Sequence, residues 1–432
     1  MKFKTAISLV LIAVIVLLFA GCNDANKTVE EEYGINNCSV VYFENGSVEF
    51  KNRGKNTNEK TVYELASNGK TIAAYTALSM VDEGVLSLDE KIAPYLDDEL
   101  ITDDERINDI TLKQLLCHTA GFSPNYEIVT DKKIYSDPGD KFCYSGVGYI
   151  YLQNVIENAS GLTMDQAAYN YVFEPLGMNN STFESVPTVT PYMNPGSAVL
   201  YALGMFVISF VVLIVLSLII GKVTEFKLFS FRSAFLASFV LAGVINAAFL
   251  LFVFVSKVFV LFAACFMLMG IVLRISTGTK FFYASVPVIM GLIAAVGFIL
   301  PVNIPVTNDI VARDANCAYT FRSTAEDMSL FCSELMDRAK DPDDFYNIMF
   351  QPAVEIDEEN EWGLGIAVEH EGSETTYWHS GINPGFQSLY VLNPEEDKYV
   401  IVLTNSDNGL DYSKDLARDY LGVEGVWDIK RG

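Results

Sequence analysis

The chain is 432 residues long, carries a formal net charge of −25 and is 51% hydrophobic. So acidic a surface argues against nucleic acid and anionic lipid as ligands, while an apolar share above that of ordinary soluble proteins implies contact with a bilayer. No GxGxxG, Walker or Cys-x-x-Cys pattern occurs, and the only histidines are His118, His370 and His379, so no cofactor and no metal site of the Cys and His type is expected.

At the N-terminus, Lys2 and Lys4 precede an apolar run from Ala6 to Ala20, the layout of an export signal. Its end, Phe19-Ala20-Gly21-Cys22, resembles a bacterial lipobox, which implies residues 1–22 as a lipoprotein signal and Cys22 as the lipidated first residue; an uncleaved signal anchor is the alternative. Residues 23–37 read as a polar tether. Next, "VVYFENGSVEF" (40–50) alternates around Asn45-Gly46, a hairpin signal because both residues tolerate positive φ. The pattern predicts a helix over 65–83, stopped by Gly84, and further helices over 111–117, 147–160 and 163–173.

Between 197 and 300 four apolar runs follow, at 197–221, 233–255, 258–273 and 281–300, each about long enough to span a bilayer. Lys222, Lys227 and Arg232 lie between the first two and Arg274 and Lys280 between the last two, so those loops are expected to be cytoplasmic and both ends of the insertion extracytoplasmic. Six basic residues against Glu225 give the insertion +5; setting it and the two signal lysines aside leaves −32 on the rest. Beyond it, 324–339 reads as a helix, "GLGIAVE", "TTYWHS", "FQSLYVLN" and "KYVIVLTN" alternate like antiparallel strands, and a last helix is expected over 411–421. The first half offers helices and the second most of a sheet, so 38–196 and 301–432 are expected to be two parts of one α+β domain interrupted by a four-helix transmembrane insertion. Cys38, Cys117, Cys143, Cys317 and Cys332 are read as buried or free thiols.

One short stretch, "YELASNGKTIAAYT" (63–76), places Ser67 and Lys70 three apart on one helical face. An amine beside a hydroxyl at a helix N-terminus can take the serine's proton, and the helix end favours the anion that forms. Taken alone, the pair reads more readily as an N-cap serine and a solvated lysine. Gly69, inside the first turn, is unfavourable for a helix and has no explanation in the sequence.

The company of that pair is more specific. "ELASNGKTIAAYTALSMVDEGVLSLDEKIAPYL" resembles the nucleophile helix of the serine β-lactamase-like and penicillin-binding-protein superfamily, class C-like branch. "TLKQLLCHTAGF", "PGDKFCYSGVGYIYL", "EPLGMNNSTF", "STAEDMSLF" and "WHSGINPGFQSLYVLNPEEDKYVIVLTN" are similar to later elements of that branch, in the same order, over about 39–185 and 310–421. The resemblance implies an antiparallel sheet flanked by helices plus a helical subdomain, with the site between them. It implies Ser67 as acylated nucleophile, Lys70 and Tyr144 sharing acid and base work, and an oxyanion held by the backbone N–H groups of Ser67 and Ile382. Ser145 on one side and His379, Ser380 and Gly381 on the other would line the cleft. Which of Lys70 and Tyr144 takes the first proton stays open.

A phenol titrates near 10 in water and becomes a useful base only beside a cation, which Lys70 would supply. A histidine at 379 is expected to titrate near neutrality where the family carries lysine, weakening recognition of a substrate carboxylate. Gly146 replaces the family's asparagine after Tyr144-Ser145, which puts β-lactam hydrolysis in question. His118 is read as structural. The function implied is an extracytoplasmic, membrane-anchored serine hydrolase acting on an ester, amide or D-amino-acid peptide. Its expected partners are a small-molecule or peptidoglycan-derived substrate, the membrane, and a protein through the helices. The alternatives are a non-hydrolytic receptor for cell-wall peptides or β-lactams, or a small transport module.

Overall fold

The computed structural model describes residues 33–123, 133–189 and 315–429. The export signal, Cys22 and the four apolar runs lie outside the described residues. Among the described residues no helix is long and apolar enough to cross a membrane.

The strands in chain order are β1 (Cys38–Glu44), β2 (Ser47–Arg53), β3 (Tyr63–Ala66), β4 (Phe321–Ser323), β5 (Val354–Glu355), β6 (Asn360–Trp362), β7 (Ala367–Glu371), β8 (Glu374–Asn383), β9 (Phe386–Asn393) and β10 (Lys398–Thr404). Eight of them form one antiparallel sheet in the order β2-β1-β10-β9-β8-β7-β6-β5, and β3 pairs with β4 in a second, two-stranded sheet. The expected hairpin is present: Asn45 and Gly46 take φ of 50° and 79°, turning β1 into β2. The two halves of the sequence meet along the full length of β1, which pairs with β10 from Cys38↔Thr404 to Glu44↔Lys398. The parts before 189 and after 315 thus belong to one sheet.

The principal helices are α1 (Gly69–Asp82), α2 (Leu112–Leu116), α3 (Gly146–Ser160), α4 (Met164–Ala168), α5 (Ala325–Lys340) and α6 (Gly409–Leu421). Successive residues of a strand face opposite ways, and β1 shows where two helices lie. Tyr42 meets Tyr420 of α6 at 4.7 Å between centroids, whereas Phe43 stacks at 4.5 Å on Tyr399, whose hydroxyl bonds Ser329 and Ser333 of α5. The sheet is thus sandwiched between α5 and α6. Helices α2 and α4 open on reciprocal caps, Thr111 with Gln114 and Thr163 with Gln166. Beyond α4 the chain widens through a π turn over Tyr169–Phe173. The end of this helical part is tied to the second half by Asp327 at the head of α5, which accepts from the Asn180 N–H (2.7 Å) and the Ser181 hydroxyl (2.8 Å).

Helix α1 runs through the middle, with Gly69 to Met80 all buried. The small Ala74 allows close approach: a Cβ on Gly365 would lie 2.1 Å from that of Ala74. The helix begins later than its pattern suggests. Residues 63–66 are strand, because they pair with β4, a partner the sequence supplies some 250 residues away.

Candidate active site

Strand β3 delivers Ser67. Its Glu64 forms a mostly buried ion pair with Arg322 of β4 (3.2 Å), and the other carboxylate oxygen accepts from Asn383 of β8 (2.8 Å), so the strand is held against both sheets. At Ala66 the backbone turns left-handed, φ 47°, a conformation that a non-glycine residue adopts at an energy penalty of about 1–2 kcal/mol. The Asn68 N–H then bonds the Leu65 carbonyl (3.1 Å), the Lys70 N–H bonds the Ser67 carbonyl (2.9 Å), and α1 begins. Ser67 therefore sits on a sharp strand-to-helix turn, just before the positive end of α1.

The same geometry explains Gly69. A Cβ there would meet Phe321 Cβ at 2.7 Å, Phe183 Cε1 at 2.8 Å and the Cys317 carbonyl at 3.1 Å. Glycine lets the 317–321 segment lie against the first turn of α1. That contact brings a backbone group to the site: Lys70 Nζ donates to the Ala318 carbonyl as well as to Ser67 Oγ (3.0 Å), and the Ser67 hydroxyl stands 3.5 Å from the same carbonyl. Asn316 braces this turn, its side-chain oxygen accepting from the Ala318 and Tyr319 N–H groups (both 3.1 Å). Lys70 is fully buried, its ammonium nitrogen 5.2 Å from the ring centroid of Tyr144 and 5.7 Å from that of Tyr149. Serine, lysine and tyrosine thus converge, although Tyr144 lies 74 or more residues from the other two.

The opposite wall is β8, crossed by the end of β3 at Gly381, where a Cβ would meet the Leu65 carbonyl at 1.9 Å and Ser388 Oγ at 2.8 Å. The Asn68 amide reaches Ser388 Oγ (2.9 Å) and fastens the turn that carries Ser67 to β9. Ser380 is half-buried, and Ile382 is 43% exposed beside that crossing. His379 is buried, its ring 6.2 Å from that of Tyr144 and 5.5 Å from Trp362. Its Nδ1–H donates to the Ser380 carbonyl (2.8 Å), leaving Nε2 as an acceptor with no partner among the described residues. Burial, and then the nearby Lys70 charge, lower its pKa to about 3, opposed by that backbone bond. The expectation of a histidine titrating near neutrality is corrected: His379 is neutral, because solvent does not reach it and a cation stands beside it.

Ser145 is placed differently from a cleft residue. It is buried and caps α3: its hydroxyl donates to the Ser123 carbonyl (2.5 Å) and accepts from the Gly148 N–H (3.0 Å). Gly146 is the first residue of α3 and brings no side chain toward Lys70. Cys317, buried below Lys70, donates to the Tyr149 carbonyl (3.1 Å), and burial pushes its thiol up to about 12. Cys117, Cys143, Cys317 and Cys332 are free thiols. No group of three or more metal-binding side chains occurs among the described residues.

Two groups beside the site had no place in the sequence reading of it. The Ala318 carbonyl has no side-chain signature. His118, read as structural, packs on Tyr144 with ring centroids 4.4 Å apart.

A family model described as Beta-lactamase matches residues 26–194 and 303–423. Among curated proteins, the chain is 27% identical over 191 residues to "Protein flp" of Staphylococcus aureus (strain MW2), covering 38% of this chain and 37% of that protein. It is 29% identical over 147 residues to a putative D-alanyl-D-alanine carboxypeptidase of Escherichia coli K12, covering 28% of this chain and 34% of that one. The chain thus spans about a third of the length of these relatives. In fold it is similar to a D-amino acid amidase from Ochrobactrum anthropi SV3 (TM-score 0.57, 16% identity, 91% of this chain and 96% of that one). It is likewise similar to a penicillin-binding protein from Bacillus halodurans (TM-score 0.55, 16% identity, 91% and 98%).

Proposed function

Because this chain belongs to the Beta-lactamase family, we propose that it is a serine hydrolase that forms an acyl-enzyme through Ser67 on an ester, an amide or a D-amino-acid peptide. The observation that carries the reading is the 3.0 Å contact between Lys70 Nζ and Ser67 Oγ, fully buried and set against the Tyr144 ring. In this mechanism the Lys70 and Tyr144 pair starts one proton short of ammonium plus phenol, and it takes the Ser67 proton as the oxygen attacks the substrate carbonyl. The tetrahedral oxyanion is met by the Ser67 and Ile382 N–H groups and by the N-terminal end of α1. The same pair protonates the leaving group, and a water repeats the attack to free Ser67.

The substrate class follows from the walls. A neutral, buried His379 supplies no cation for a free carboxylate, and Gly146 supplies no amide, so uncharged acyl compounds suit this cleft better than β-lactams. The names of a D-alanyl-D-alanine carboxypeptidase and a D-amino acid amidase among the similar proteins support a D-amino-acid acyl group.

Membrane anchorage belongs to the same proposal: lipid on Cys22, four crossings by 197–300, and the catalytic domain outside. It is supported by the basic loops of the insertion and by the pairing of β1 with β10, which requires an even number of crossings. Fluorophosphonate labelling of the full chain, followed by kinetics on p-nitrophenyl esters, D-amino-acid amides and nitrocefin, tests the activity. Label on wild type and none on Ser67→Ala is expected. A stable adduct without turnover favours the receptor reading, and equal labelling of both proteins removes Ser67 from the chemistry.

A further inference from the structure

Tyr144 does not stand on a helix or in a sheet; it ends an irregular stretch, one residue ahead of the cap of α3. Its phenol must nevertheless stay beside Lys70. The residues on either side of it are both tied, through their N–H groups, to one residue. The Cys143 N–H bonds the His118 carbonyl (2.8 Å), and the Ser145 N–H bonds His118 Nδ1 (3.1 Å). The imidazole itself lies against the Tyr144 ring, 4.4 Å between centroids, and against Tyr149 (4.9 Å) and Trp362 (5.0 Å).

His118 can do this only in one form. An Nδ1 that accepts leaves the proton on Nε2, and protonating both nitrogens destroys the acceptor. Burial, helped by the Lys70 charge, holds the ring neutral, so the accepting form persists. The backbone at 118 is left-handed, φ 56°, which carries the chain off the end of α2 and aims the carbonyl and the ring at the same loop. Just before it, the Leu116 carbonyl accepts from Trp362 Nε1 (3.3 Å), the Tyr149 hydroxyl (3.2 Å) and the Gly365 N–H (3.1 Å), so the clamp stands on a fixed base.

We propose that His118 is a positioning residue that holds the Tyr144 phenol in register with Lys70 by gripping the N–H groups of Cys143 and Ser145 on either side of it. The inference rests on the catalytic reading of Ser67, Lys70 and Tyr144. A phenol released by about 1 Å loses rate on the order of 10²-fold without losing substrate affinity.

The test is a set of steady-state measurements on a p-nitrophenyl ester. His118→Asn tolerates the left-handed backbone and places an oxygen near the site of Nδ1, while His118→Gln carries the same amide one bond too far. We expect His118→Asn to keep kcat within about 5-fold of wild type and His118→Gln to lose about 10- to 100-fold, each with KM within about 2-fold. A cycle with Tyr144→Phe adds a readout that general loosening does not move: in the Tyr144→Phe background His118→Gln costs less than about 2-fold more. Equal losses in the two variants, or losses that multiply with that of Tyr144→Phe, overturn the clamp. If Ser67→Ala keeps wild-type turnover, the catalytic reading fails instead; with Ser67→Ala dead and the cycle multiplicative, only the inference about His118 falls.

Discussion

Replacing Gly69 by alanine sets helix propensity against packing, and the two predict opposite signs. Gly69 lies in the first turn of α1, where alanine is favoured over glycine by up to about 1 kcal/mol. The added Cβ, however, meets Phe321 Cβ at 2.7 Å and Phe183 Cε1 at 2.8 Å, both residues fully buried. Phe321 Cβ is fixed to the backbone of β4 and cannot swing aside. Overpacking of this kind destabilises by about 1–3 kcal/mol, so the net expectation is a loss of about 1–2 kcal/mol. Denaturant unfolding followed by tryptophan fluorescence, at unchanged slope, measures it. Since the displaced segment carries the Ala318 carbonyl bound by Lys70, fluorophosphonate labelling of Ser67 should slow as well. A more stable Gly69→Ala protein with undiminished labelling refutes the argument that glycine is present to admit 317–321.

Three further outcomes follow from the buried charges and hydrogen bonds. His379, with its folded pKa lowered to about 3, retains its full contribution above the unfolded value near 6.5 and loses it as pH falls toward 3; at pH 5 the loss is about 2 kcal/mol, and His379→Asn should flatten that part of the stability profile. Arg322→Ala strands Glu64 and should destabilise by about 3–5 kcal/mol, whereas the pair Arg322→Met with Glu64→Leu should recover most of it, by the same denaturation assay. Thr71→Val leaves the Gly365 carbonyl and the Tyr390 hydroxyl without their shared partner, 3.0 and 2.7 Å away, and should cost about 1–3 kcal/mol.

Elements governed by neighbouring residues were legible in the sequence. Asn45-Gly46 announced its hairpin, the patterns over 111–117 and 163–173 announced helices where α2 and α4 lie, and alternation announced β8, β9 and β10. Elements that depend on a distant partner were not. Residues 63–66 carry a helix-compatible pattern and become a strand only because β4 pairs with them across the insertion. For the same reason Ser67 sits on a strand-to-helix turn rather than on a helical face. The serine and lysine were visible through their spacing, and Tyr144 through its motif. The Ala318 carbonyl was invisible because a backbone group has no letter, and His379 was misjudged because its burial lies in the fold, not in the residue type. His118 looked structural because nothing in "CHTAGF" says that its ring would close on the loop before α3.

The central claim is that Ser67 is acylated because Lys70 and Tyr144 converge on it. Rapid-quench mass spectrometry of the full chain mixed with p-nitrophenyl acetate tests it directly. The account predicts one acetyl group on the peptide that contains Ser67, formed no slower than turnover and delayed on the order of 10²-fold or more in Lys70→Ala. Turnover with no adduct, or an adduct that persists in Ser67→Ala, contradicts it.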